Sequence, residues 1–86
     1  MARALTLKRV VVPGPQRAAY LTRLRARRDH YARAGCTFSV FEETALRGAF
    51  IEFTEAGDAR ALAAAHAGAP EAVPDAARIY TEVEIG

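Results

Sequence analysis

A single cysteine, Cys36, is the whole thiol content of the chain, so no disulfide can form within it. Beside it stand only two histidines, His30 and His66, and the three have no spacing that resembles a zinc motif, so no metal site is expected. Apolar runs are short: none approaches the ~18 residues of a membrane-spanning helix. The opening stretch from Met1 to Arg9 lacks the continuous apolar core of a signal peptide, and a cytoplasmic location with no membrane partner is the expectation. Internal repeats, linkers and low-complexity tails are missing too, which leaves residues 1–86 to form a single domain.

What is present suits a folded chain. Hydrophobic residues make up 51% and charged residues 26%, far from the composition of disordered chains. A chain this short buries only about 60% of the surface its unfolded form exposes, so its own core is thin and a partner surface would add to it. The net charge is only +2, yet nine of the twelve basic residues lie within the first 33 positions, and the later part is acidic. The molecule is electrically lopsided.

Leu5 to Val12 ends in three valines and is stopped by Pro13-Gly14-Pro15, which predicts a strand followed by a turn. From Gln16 to Ala34 the chain is rich in Ala, Arg and Leu with no Pro or Gly, and Gly35 sits where a left-handed cap belongs, so this segment is predicted as a long helix. Its sheet-facing arc holds Tyr20, Leu24 and Tyr31, with Arg17, Arg27 and Arg28 on or beside it. The simplest account of these arginines is that their stems cover core edges while their heads reach water. Cys36 to Phe41 and Ala49 to Phe53 read as two strands of a hairpin. Asp58 is the expected N-cap of a second, alanine-rich helix ending near Gly68, and Arg78 to Ile85 alternates as a last strand with Ile79, Val83 and Ile85 facing the core.

This β-α-β-β-α-β order predicts an α+β, ferredoxin-like fold: a four-stranded antiparallel sheet with both helices on one face and the other face open. Alternation places Thr37, Ser39 and Phe41, then Phe50 and Glu52, then Arg78, Tyr80 and Glu82 on that open face. Three aromatics among polar groups are too apolar for idle solvent and too polar for a dry core, so the face is expected to be covered.

The element order, the length of 86 residues, the long first helix and the half-apolar open face together resemble the dimeric α+β barrel superfamily. Its members include the antibiotic-biosynthesis monooxygenase type and several uncharacterised small proteins. Gly35 to Glu43 followed by Gly48 to Ala56 resembles the central hairpin of such members. The resemblance implies a homodimer packed sheet against sheet, with a cleft for a small molecule between sheet and helices or at the interface. Oxygenases and haem-degrading members tend to use Trp, Asn or His in the cleft, and this chain has neither Trp nor Asn. No cofactor is therefore implied, although haem stays compatible with the resemblance.

Within that frame Glu52 and Tyr80 are candidates for acid, base or hydrogen-bonding roles, and His30 for a base or a haem ligand. Simpler accounts stand beside them: Glu52 paired with Arg78 or Arg47, and His30 bonded to backbone or water. Phe41, Phe50, Glu52, Arg78 and Tyr80 are the residues expected to face a ligand or an interface. His66 reads as a helix C-terminal residue complementing the macrodipole, and Cys36 as a small buried hydrophobe. A second class of function is RNA binding, because Arg47 to Phe53 resembles the K/R-G-F/Y-G/A-F-V-x-F/Y motif of the RNA recognition motif with one aromatic position deleted. Phe50 would be its stacking residue. The first strand offers no aromatic for the companion motif and Glu52, Glu82 and Glu84 would repel phosphates, which disfavours nucleic acid. The arginine-rich helix gives a third reading, an outer face that binds an anionic partner.

Overall fold

The β-branched run at Val10 to Val12 builds the first strand, β1 (Ala4–Val11), which Pro13 ends by withholding a backbone donor. In this computed structural model, which describes residues 2–71, 73 and 76–86, a single 3-10 turn at Gly14–Gln16 leads into α1 (Arg17–Arg33). The helix stops as its sequence predicts. Gly35 takes φ +79° and donates to the Ala32 carbonyl, and the Cys36 N–H reaches back to the Tyr31 carbonyl at 2.8 Å. These two bonds form a Schellman cap, and the packing of Cys36 against Tyr31 in the core completes it.

β2 (Thr37–Glu42) and β3 (Ala49–Ala56) follow, then α2 (Ala59–Ala67), whose N-cap Asp58 accepts a 2.8 Å hydrogen bond from the Ala61 N–H. A two-residue β4 (Tyr80–Thr81) completes the described elements. The sheet order is β2-β3-β1-β4, with every neighbouring pair antiparallel. β1 and β2 therefore run parallel with β3 between them, and β3 and β4 run parallel with β1 between them. Each helix closes a split β-α-β unit, and both helices lie on the same face.

The core under the helices has two apolar centres. Tyr31 and Leu62 anchor one, with Ala4, Cys36 and Ala56; Tyr20, Leu24, Val12 and Phe50 form the other. Walking along either central strand from one centre to the other crosses polar ground. On β1 it is Thr6 and Lys8, and on β3 it is Glu52 and Thr54.

Three expectations are corrected. β3 presents the opposite parity from the one its pattern suggested: Phe50 and Glu52 are buried under α1, whereas Ile51 and Phe53 lie on the open face. The cause is the register, which pairs Val10 with Phe50 and Leu7 with Phe53, together with buried partners for Glu52 on α1. Arg27 is likewise buried, head included, where a solvated head was expected. The last strand is short because its register sets Tyr80 against Leu5 and Thr81 against Ala4, the first residue of β1. One further backbone bond, Glu82 N–H to the Arg3 carbonyl, extends it, and Val83 and Ile85 are then 74% and 95% exposed. Arg78 lies outside the strand and is exposed.

The connection between β2 and β3 depends on Gly48. Its φ is +92°, and a Cβ there would stand 2.7 Å from the Val12 carbonyl oxygen. Its carbonyl also accepts from the Val12 N–H, and its own N–H donates to Glu42 Oε2 at 2.8 Å. Gly48→Ala is expected to destabilise the chain by about 1–3 kcal/mol, read as a lower urea midpoint with an unchanged slope.

Glu42 accepts a bidentate pair of hydrogen bonds from Arg17, at 2.7 and 2.9 Å. These bonds, with the Gly48 N–H, pull its carboxyl from 4.5 down to about 2. A depressed carboxylate stabilises the fold at pH values above its unfolded value of 4.5 and loses that contribution as pH falls through about 2. Glu42→Gln should therefore flatten the acid side of the stability curve between those limits, as seen in thermal melts across the range.

Candidate functional site

Tyr20 and Arg27 lie two turns apart on α1, so both side chains project from one face toward the sheet, where β3 presents Glu52. Tyr20 donates to Glu52 Oε2 at 2.7 Å. Arg27 Nη1 stands 2.8 Å from Oε1, and the two residues are 8% and 3% exposed. That ion contact carries no aligned N–H: among the described residues no group donates a hydrogen bond to Glu52 Oε1. The carboxylate is thus charge-compensated and half-satisfied.

The Arg27 guanidinium is held from its other side by the Phe38 ring, 5.0 Å from the centroid. Burial, then the hydrogen bond to Glu52, pushes the Tyr20 phenol well above its ordinary value, so it stays protonated and donates at neutral pH.

A second polar group abuts the first. His66 of α2 is buried, with Nδ1 2.8 Å from the Tyr31 hydroxyl and Nε2 2.7 Å from Thr6 Oγ1. Burial, then the nearby Arg27 charge, holds its imidazole below 6.5, so it is neutral at pH 7. It therefore supplies no charge to the macrodipole, contrary to the sequence reading, and serves as a core bridge between α1, α2 and β1. An unfolded chain takes up a proton on this residue below 6.5 that the folded chain resists. Stability should fall as pH drops below that value, by up to about 1.4 kcal/mol per unit, and His66→Gln should remove this slope from urea titrations between pH 7 and 5.

Between β1 and α1 a cleft of about 300 Å³ opens, lined by Lys8, Val10, Tyr20, Leu24, Arg27 and Glu52, with Arg23 and Glu71 beside them. Its size sits at the lower end of small-molecule sites, and its lining is more polar than the predominantly apolar one usual there, with Val10, Val12 and Leu24 as the apolar part.

Of the three residues singled out for chemistry, only Glu52 is in this cleft. Tyr80 is on the other side of the sheet, half-exposed, in a shallow depression with Arg3, Glu55 and Glu82. His30 ties the helices together: its Nε2–H donates to the Ala65 carbonyl at 2.7 Å, and its ring meets the edge of Tyr31. The three do not form one constellation. Tyr20, Arg27, Thr6 and His66, which do surround Glu52, were not foreseen as a site, although Tyr20 and Arg27 were visible on the helix arc. Among the described residues no three His, Cys, Asp or Glu side chains gather to hold a metal ion. Cys36 is buried and its thiol is pushed up by burial, which makes it a packing residue.

The open face has a different character. Phe41, 59% exposed, meets Phe53 edge to face at 5.7 Å, and Leu5, Leu7 and Ile51 continue the apolar centre. Ion pairs border it: Arg3 with Glu82 at 2.8 Å at one end and Arg9 with Glu43 at 3.5 Å at the other. No helix of the described residues is long and apolar enough to cross a membrane. Compared with family models, with curated proteins and with solved structures, the chain matches none.

Proposed function

We propose that the chain is a ferredoxin-like subunit of the dimeric α+β barrel type, in which two copies pack their open sheet faces together and each binds a small molecule in the cleft beside α1. The observation that carries this reading is the open face itself, an apolar centre of Leu7, Ile51, Phe53 and Phe41 bordered by ion pairs. Protein interfaces are built this way, with an apolar core inside a polar rim. The split β-α-β order supports the ferredoxin-like assignment.

A second copy is the occupant that fits best. The rim carries both signs, Arg3 and Arg9 beside Glu43, Glu55 and Glu82, so an identical face offers each charge a partner of opposite sign and leaves one carboxylate per copy, Glu55, over. Strands of eight, six, eight and two residues at ~3.3 Å per residue and ~4.8 Å spacing give a flat projection of roughly 380 Å² per copy, which side-chain relief raises toward the ~1,000 Å² total that a specific interface needs. Nucleic acid fits less well. Phe50, the expected stacking residue, is 5% exposed beneath α1, and the rim carboxylates oppose phosphates.

The test is contact between copies. In a mixed sample of isotope-labelled and unlabelled chain, filtered NOEs are expected from the Leu7 and Ile51 methyls to the rings of Phe41 and Phe53. Their absence at concentrations where the protein is fully associated would place the interface elsewhere and overturn the proposed packing.

A further inference from the structure

We infer that the cleft beside α1 takes a small molecule with an apolar body, a hydroxyl or amino donor at its inner end and a carboxylate at its outer end. This rests on the proposal that the cleft is a binding site, and it adds the chemistry of what binds there.

The inner end is set by Glu52. Its Oε2 is occupied by the Tyr20 hydroxyl, while Oε1, in a side chain that is 3% exposed, has the Arg27 guanidinium 2.8 Å away as a counter-charge but no aligned hydrogen-bond donor among the described residues. A buried carboxylate oxygen left in this condition costs free energy, and a ligand donor that reaches it recovers a charge-assisted hydrogen bond. A separate small space that shares Lys8, Arg27 and Glu52 with the cleft, and is bounded by Thr6 and His66, is only about 10 Å³. That is room for roughly one water-sized group, so the donor is a hydroxyl or an amine, with no bulk behind it.

The walls are Val10, Val12 and Leu24, which suit an apolar body. The buried Arg27 and Glu52 compensate each other, and at the outer part Lys8 and Arg23 contribute two positive charges against the one negative charge of Glu71. The nearest approach of Arg23 to Glu71 is 3.8 Å between half-exposed groups, a weak pairing that a ligand can replace. One negative charge on the ligand balances the cleft. Lys8 is the cation best placed to meet it, because its half-buried side chain lines the cleft and forms no ion pair among the described residues, whereas Arg23 stands near Glu71 and Arg27 is held by Glu52.

The experiment uses 4-hydroxybenzoate as the probe and titrates it into the ¹⁵N-labelled full chain by NMR, beside benzoate, which lacks the donor, and 4-hydroxybenzamide, which lacks the charge. Tyramine and 4-hydroxybenzyl alcohol complete the panel. Shifts at Val10, Val12 and Leu24 are expected with 4-hydroxybenzoate, with affinity tenfold or more weaker for both benzoate and the amide. Lys8→Met, which leaves the buried Glu52 group intact, should abolish the preference for the acid over the amide, while Glu52→Gln should lower the preference for 4-hydroxybenzoate over benzoate. Equal affinities across the panel, or a preference that survives Lys8→Met, would overturn the inference while leaving the cleft as a binding site. No shift at these residues with any member would overturn both.

Discussion

Replacing Arg27 by alanine is expected to destabilise the chain by about 3–5 kcal/mol, because it leaves the Glu52 charge buried with no cation beside it. For a domain of this size that is a large part of the total stability, which runs at roughly 0.05–0.15 kcal/mol per residue. The loss should be read from urea unfolding at pH 7. The decisive comparison is the double variant Arg27→Met with Glu52→Gln, which removes both charges and keeps most of the volume. It should recover most of the loss, since a buried pair replaced as a unit costs far less than a pair broken. A double variant as unstable as Arg27→Ala would mean that the uncompensated charge on Glu52 does not set the cost and that loss of the guanidinium's contact with Phe38 does.

Phe41→Ala tests the other face. In the free chain this ring is 59% exposed, so its removal should hardly move the unfolding transition of the single chain. In a symmetric dimer the same change deletes two buried rings. At about 1.5–3 kcal/mol for each, the dissociation constant should rise by roughly a hundredfold to ten-thousandfold. Sedimentation velocity over a dilution series measures both chains alike. An unchanged dissociation constant would show that the open face is not where the copies meet.

The element boundaries were legible wherever a residue has a single local job. Gly35 ends α1, Asp58 starts α2, and Pro13 closes β1, each through a backbone requirement that acts within a few residues. Faces were harder. On β2 the alternation of Phe38 and Val40 with Thr37 and Ser39 differs in polarity between parities, and Phe38 and Val40 do pack against the helices. On β3 both parities carry aromatics, Phe50 on one and Phe53 on the other, so alternation alone does not choose between them, and it had placed Phe50 and Glu52 on the open face. A charge marks solvent only when no buried partner exists, and that partner, Arg27, sits 25 residues upstream on another element. A one-residue ambiguity of this kind inverts the whole strand.

The last strand failed for a different reason. Its strict alternation is real, but a strand needs a neighbour along its length, and β1 begins at Ala4. Of the candidate site, Glu52 was expected on the open face under a second sheet, and it lies on the opposite face, covered by α1. The polar seam of Thr6, Glu52, Thr54 and His66 could not be read from any one segment, because its members come from three separate elements.

The central claim is that the open sheet face is covered by a second copy, and light scattering coupled to size exclusion tests it most directly. The wild-type chain should run at twice the mass of the chain at micromolar concentration, and Phe41→Ala should run at the single-chain mass under the same conditions. A wild-type mass equal to one chain across the whole concentration range would contradict the account.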